Sequence, residues 1–218
     1  MSHTTIFKNL AFESMRALVR LAIDNVEFRH HGIGVLQGYV RESCDPCDPE
    51  IRIHIWSPKL LKPGMDVSGD CHDHRFDMVS HVLVGTVVHE SWIQTENVLG
   101  DHEMMALTHA RAAADTNYHG PTTLIPGRFT VERQEFVIRA GASYTFPAKR
   151  FHRSPLTNPY MAGVPSELAV TCVEKHNQLD EPARLLYPVA HPPVMAFGHT
   201  PDPELVRSII EEAKMKLR

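Results

Sequence analysis

The sequence predicts an all-β sandwich or barrel flanked by one helix at each end, on three observations. Seven short segments rich in β-branched and aromatic residues follow one another between residues 33 and 173. No long helical segment separates them, which argues against a parallel α/β sheet. An apolar stripe at helical spacing stands near each terminus. In the first stripe, Phe12, Met15, Val19 and Ala22 predict a helix from about Asn9 to Asp24. The strands expected next are Ile33–Val40, Ile51–Trp56, Val79–Val84, Thr86–Trp92, Phe129–Ile138, Ser143–Phe146 and Leu168–Val173. The stretch from Gly100 to Gly127 reads as a short helix, Glu103 to Ala114, followed by a loop that covers one barrel mouth. Tyr187 to Pro203 reads as an extended, proline-rich connection. Asp202 can cap a final helix and Pro203 suits its first position. Leu205, Val206, Ile209, Ile210, Ala213 and Leu217 then carry an apolar stripe over 203–217. One domain over 1–218 is expected, with its core at about 33–178.

Bulk properties narrow the function classes. The 218 residues carry 22 Lys and Arg against 26 Asp and Glu, a formal charge of −4. No basic stripe predicts nucleic-acid binding and no apolar run predicts a membrane span. The first residues mix charges into their apolar stretch and lack a small-residue cleavage site, so no secretory signal is read. Cys44, Cys47, Cys71 and Cys172 are then expected as reduced thiols, in a cytoplasmic protein. The 15 histidines are the compositional excess, and histidine is the commonest metal ligand.

Two segments concentrate the chemistry. In Gly69-Asp70-Cys71-His72-Asp73-His74-Arg75-Phe76-Asp77, strand alternation sends His72 and His74 to one face and Cys71 to the other. Two imidazoles so placed can reach one ion at about 2.0–2.2 Å. Gly85 fits the tight turn that ends the next strand. The second segment, Gly141 to His152, passes from a glycine turn through a strand and a bend at Pro147 to a histidine.

Together the two segments resemble the paired motifs of the cupin superfamily. The first cupin motif is His-x-His, an acidic residue and a glycine; the second is Gly-x5-Pro-x-Gly-x2-His. Gly141, Pro147 and His152 keep the second spacing, and Lys149 replaces its internal glycine. The resemblance implies a double-stranded β-helix, or jelly-roll, barrel with a divalent metal on His72, His74 and His152. The glutamate of the first motif would fall at Met78 or Val79, which bind a hard metal poorly. A three-histidine site follows, with Asp77 and His81 as candidates for a fourth ligand.

A three-histidine cupin is similar to the thiol dioxygenases, of which cysteine dioxygenase is the best known. Tyr39-Val40-Arg41, the apolar strand ending at Trp56, His152-Arg153 and Ala169-Val170 extend the likeness. It implies Fe(II), with Zn, Mn or Ni as alternatives, and a substrate carboxylate gripped by Arg41. It also implies O₂ as co-substrate and allows a homodimer. The family's Ser-x-His-x-Tyr stretch becomes Thr171, Val173 and Lys175 here, so its outer histidine and catalytic tyrosine are missing. The substrate class that follows is a small, chelating, anionic molecule rather than cysteine itself.

Two alternatives stand beside the dioxygenase. A Lewis-acid isomerase, hydrolase or lyase would use His54 or His89 as a proton-transfer base. A non-catalytic small-molecule-binding cupin is the third. Cys44-Asp45-Pro46-Cys47 reads as a polar loop, since no second pair completes a zinc site. Trp56, Phe76, Phe146 and Phe151 are expected to line the barrel or its mouth.

Overall fold

The structure, a computed structural model, describes residues 3–31, 35–42, 49–60, 71–107, 122–155, 168–191 and 201–218. In order, its elements are α1 (His3–Ala22), β1 (Phe28–His31), β2 (Val35–Arg41), β3 (Glu50–Trp56), a 3₁₀ turn at Pro58–Leu60, β4 (Asp77–Val84), β5 (Thr86–Glu96), β6 (His102–Leu107), β7 (Thr122–Arg139), β8 (Ser143–Phe146), β9 (Phe151–Arg153), β10 (Ala169–His176), β11 (Ala183–Pro188) and α2 (Pro203–Leu217). The Cys44–Cys47 motif, Gly69, Asp70 and most of the expected 103–114 helix lie outside the described residues.

All ladders are antiparallel. A six-stranded sheet runs β1-β2-β3-β10-β4-β8, and a five-stranded sheet runs β11-β6-β7-β5-β9. The interleaving of late strands with early ones is that of a cupin-like jelly-roll sandwich. No ladder joins the two sheets among the described residues, so the expected closed barrel is an open sandwich. Their inner faces meet through Trp56 and Val82 of the first sheet and Val87 of the second. Both helices lie on the outer face of the six-stranded sheet. There Val19, Ile209, Ala213 and Leu217 bury with Ile53, Ile55, Val170 and Cys172. The periodicity that predicts the helices is therefore core packing.

Residue 72 stitches the second sheet. His72 bridges to His152 of β9 and to Leu185 of β11, the two edge strands. Gly85 has φ +71°, and a Cβ there would lie 2.5 Å from the Leu168 carbonyl oxygen, which explains glycine in that turn.

Three further expectations change. Glu103–Leu107 is the end of β6 rather than a helix. β1, β9 and β11 are strands that the sequence pattern did not separate. Phe151 faces away from the sandwich interior, packing with Cys71, Trp92 and Leu186 on the far side of the second sheet.

Candidate metal centre

Strand pairing brings the three predicted histidines together. His72 N–H donates to the His152 carbonyl at 3.0 Å, and His152 N–H donates to the His72 carbonyl at 2.9 Å. Residues that exchange both bonds in this way project their side chains from the same face of the sheet. His74, two residues on, joins them, its carbonyl accepting from Lys149 N–H at 2.9 Å. The ring centroids form a nearly equilateral triangle: 4.8 Å from His72 to His74, 4.7 Å from His72 to His152 and 4.8 Å from His74 to His152. One ligand atom from each residue lies within 4.8 Å of the others.

The donors fit a divalent ion. His152 Nε2 is 2.9 Å from His74 Nε2, a pair able to share one hydrogen bond or one cation. Two ligands about 2.1 Å from one ion and about 90° apart are themselves about 3.0 Å apart. Burial holds His74 well below the usual histidine range, helped by the positive charges of His72, Arg52, Lys175 and His54. Burial does the same to His152, with His72, His74 and His89 adding to it. Neutral imidazole is the form that binds metal.

An extended anchor fixes the His72-x-His74 segment. Asp73 lies between His72 and His74, on the other face, and is fully buried. Its carboxylate accepts from Arg184 N–H and Arg184 Nε, each at 2.6 Å, while Asp73 N–H donates to the Arg184 carbonyl at 3.0 Å. Arg184 also donates to the Lys149 carbonyl at 3.1 Å, tying the second motif to the first. Lys149 itself has φ +64°. That is the left-handed conformation its position, glycine in the cupin motif, requires.

The candidate fourth ligands lie elsewhere. Asp77 accepts from Ala148 N–H at 2.8 Å and Asn177 Nδ2 at 2.9 Å, bonds that hold its carboxyl below the usual range. His81 spends one ring nitrogen on Ser143 Oγ at 2.7 Å and the other on Glu174 at 2.8 Å. Neither belongs to the three-histidine group. Arg41 is exposed and donates from Nε and a terminal nitrogen to the Pro49 carbonyl, at 3.0 and 2.6 Å. A register shift between Tyr39 and Arg41 sets it opposite Ile51. Ile51 packs on the helix-covered face, and a one-residue shift moves a side chain to the other side of a sheet.

His89 completes the surroundings. It stands on β5 two residues before Ser91, which pairs with His152. Its ring lies 5.0 Å from His152, 4.8 Å from Tyr144 and 4.7 Å from Phe146. Neither of its buried ring nitrogens has a partner among the described residues. Burial lowers its pKa to about 4, with the His72 charge contributing. Phe146 also covers His152 at 4.6 Å, and Phe76 stacks on His74 at 4.7 Å.

No protein-family model matches the chain, and neither does any curated protein. Distant likenesses exist among solved structures. The hydroxypropylphosphonic acid epoxidase from S. wedmorenis gives a TM-score of 0.38 at 11% identity over 70% of this chain. Hydroquinone 1,2-dioxygenase PnpCD, in complex with Cd2+ and 4-hydroxybenzonitrile, gives 0.29 at 14% over 63% of this chain and 61% of that one. The polyketide cyclase RemF from Streptomyces resistomycificus gives 0.32 at 13% over 88% of this chain and 93% of that one. The matched part spans 56% of the epoxidase. Likenesses this distant carry no function to this chain.

Proposed function

We propose that this chain is a non-haem Fe(II)-dependent oxygenase of the dioxygenase kind, acting with O₂ on a small, chelating, anionic organic molecule. The observation that carries the reading is the triangle of three imidazoles, with no carboxylate in the group among the described residues. Three neutral ligands leave the ion its full charge and its remaining positions for substrate and O₂. When bound, the ion supplies a meeting point for substrate and O₂. The chain's own contribution is geometric. The paired backbone bonds of His72 and His152 and the Asp73–Arg184 anchor fix the imidazoles. Phe76 and Phe146 shield them from water. His89 offers a donor or acceptor beside the triad. The expected result is O₂ consumption by anaerobically Fe(II)-reconstituted protein with a small chelating acid, abolished in His72→Ala and His152→Ala.

A second reading has its own support. A buried, neutral His89 beside the triad, its ring nitrogens without a hydrogen-bond partner among the described residues, suits a proton-transfer base in Lewis-acid isomerase, hydrolase or lyase chemistry. Turnover without O₂, lost in His89→Phe, would favour it over the oxygenase.

A further inference from the structure

The inner face of the six-stranded sheet carries an ion cluster that reaches the triad. On β3, alternation sets Glu50 and Arg52 on the face opposite Ile51 and Ile53, which pack beneath the helices. In register, Lys175 stands opposite Glu50 and Tyr39 opposite Arg52. Glu50 accepts from Arg52 Nε and, at 3.0 Å, from Lys175 Nζ. The Arg52 guanidinium lies 4.6 Å over the Tyr39 ring. The Lys175 ammonium lies 4.1 Å over the Phe76 ring, which is the ring stacked on His74. One aromatic side chain therefore separates the cluster from a metal ligand.

Among the described residues its charge does not balance. Two cations share one carboxylate, leaving a net +1 in a half-buried place where an unmatched charge is costly. The side chains of Arg52, Lys175 and Glu50 are 18%, 10% and 15% exposed, so a solute can reach them. Among the described residues Arg52 hydrogen-bonds only through Nε. Its two terminal amino groups remain, and a guanidinium fork matches a carboxylate.

We infer that Arg52 and Lys175 hold the carboxylate of a mono-anionic organic substrate whose other end sits on the histidine triad, with Glu50 setting the charge. This rests on the metal-site reading. It assigns to Arg52 and Lys175 the grip that the thiol-dioxygenase resemblance implies for Arg41, which the register shift sets on the helix side of the sheet. Lys175 takes part from the position where that resemblance expects a tyrosine.

The test uses Co(II)-loaded full-length protein and two probes that differ in one group, mercaptoacetate and 2-mercaptoethanol, followed by visible absorbance. Arg52→Gln and Lys175→Met are expected to weaken mercaptoacetate about tenfold or more, as loss of a charge-assisted contact implies, and to leave 2-mercaptoethanol within about twofold. Glu50→Gln is expected to tighten mercaptoacetate, a gain that misfolding cannot mimic. Equal effects on both probes, or none on either, would overturn the carboxylate site while leaving the metal site standing. Wild-type protein that takes up no Co(II) would overturn both.

Discussion

Asp73 shows how much of a site can lie in a residue that never touches the chemistry. Its neighbours His72 and His74 are legible from spacing alone, because alternation puts i and i+2 on one face. The partner of Asp73 is not legible, since Arg184 is 111 residues away and only the β11 pairing brings it close. Removing Asp73 leaves Arg184, a quarter exposed, without its carboxylate partner, at a cost of about 1–3 kcal/mol. Asp73→Ala should therefore lower urea stability by that amount and weaken metal uptake, although none of the three histidines is changed. Lys149 tests the same scale with the opposite sign. A non-glycine residue at φ +64° is strained by about 1 kcal/mol. Lys149→Gly should match or exceed wild-type stability, less the bond from Lys149 Nζ to the Pro182 carbonyl. Lys149→Val, β-branched in the same conformation, should melt earlier than both. Arg41 marks where sequence reading fails at this scale, because a bulge of one residue decides the face and leaves no composition signal.

Elements with strong periodicity were readable, and those that depend on a partner were not. The 203–217 helix has its cap and apolar stripe written locally. Asp202 accepts from Glu204 N–H at 3.0 Å, and Ile209 is fully buried. Asp202→Ala should cost about 1 kcal/mol and Ile209→Ala about 3 kcal/mol in denaturant melts. β8 likewise keeps its expected bounds, Ser143–Phe146. β6 is the contrary case. Glu103-Met104-Met105-Ala106-Leu107 is built from good helix formers, yet it is a strand because β7 and β11 flank it on both sides. Met104 is buried in the cluster with Trp92 and Phe151, a contact made only in the assembled sheet. Short strands such as β9, three residues long, carry too little pattern to be found without their neighbours.

At the scale of the whole molecule, the sandwich holds neutral histidines between its sheets, and this ties stability to pH. Burial holds His74 and His152 well below the usual range and His89 at about 4. In the unfolded chain these groups take a proton near pH 6.5. The unfolded state therefore binds more protons on the acid side. The histidine contribution to stability is full above about pH 6.5 and falls as pH drops below it, by about 1.4 kcal/mol per unit for each such histidine. Urea midpoints of metal-free protein at pH 7 and pH 5 should show this fall, and His89→Phe should reduce it by one histidine's share. Lys175, pushed down to about 8 mainly by burial, acts at the other end. The unfolded chain holds its proton to higher pH, so stability should rise between about pH 8 and 10.5, and Lys175→Met should flatten that rise. The jelly-roll order itself was legible only as many short strands between two helices; the open sandwich and the His72 bridges depend on pairings far apart in sequence. If this fold brings His72, His74 and His152 onto one ion, elemental analysis of Fe(II)-reconstituted wild type and His152→Ala will reveal it. Close to one equivalent of metal per wild-type chain, lost in the variant, is the predicted result; folded wild type that retains none would contradict it.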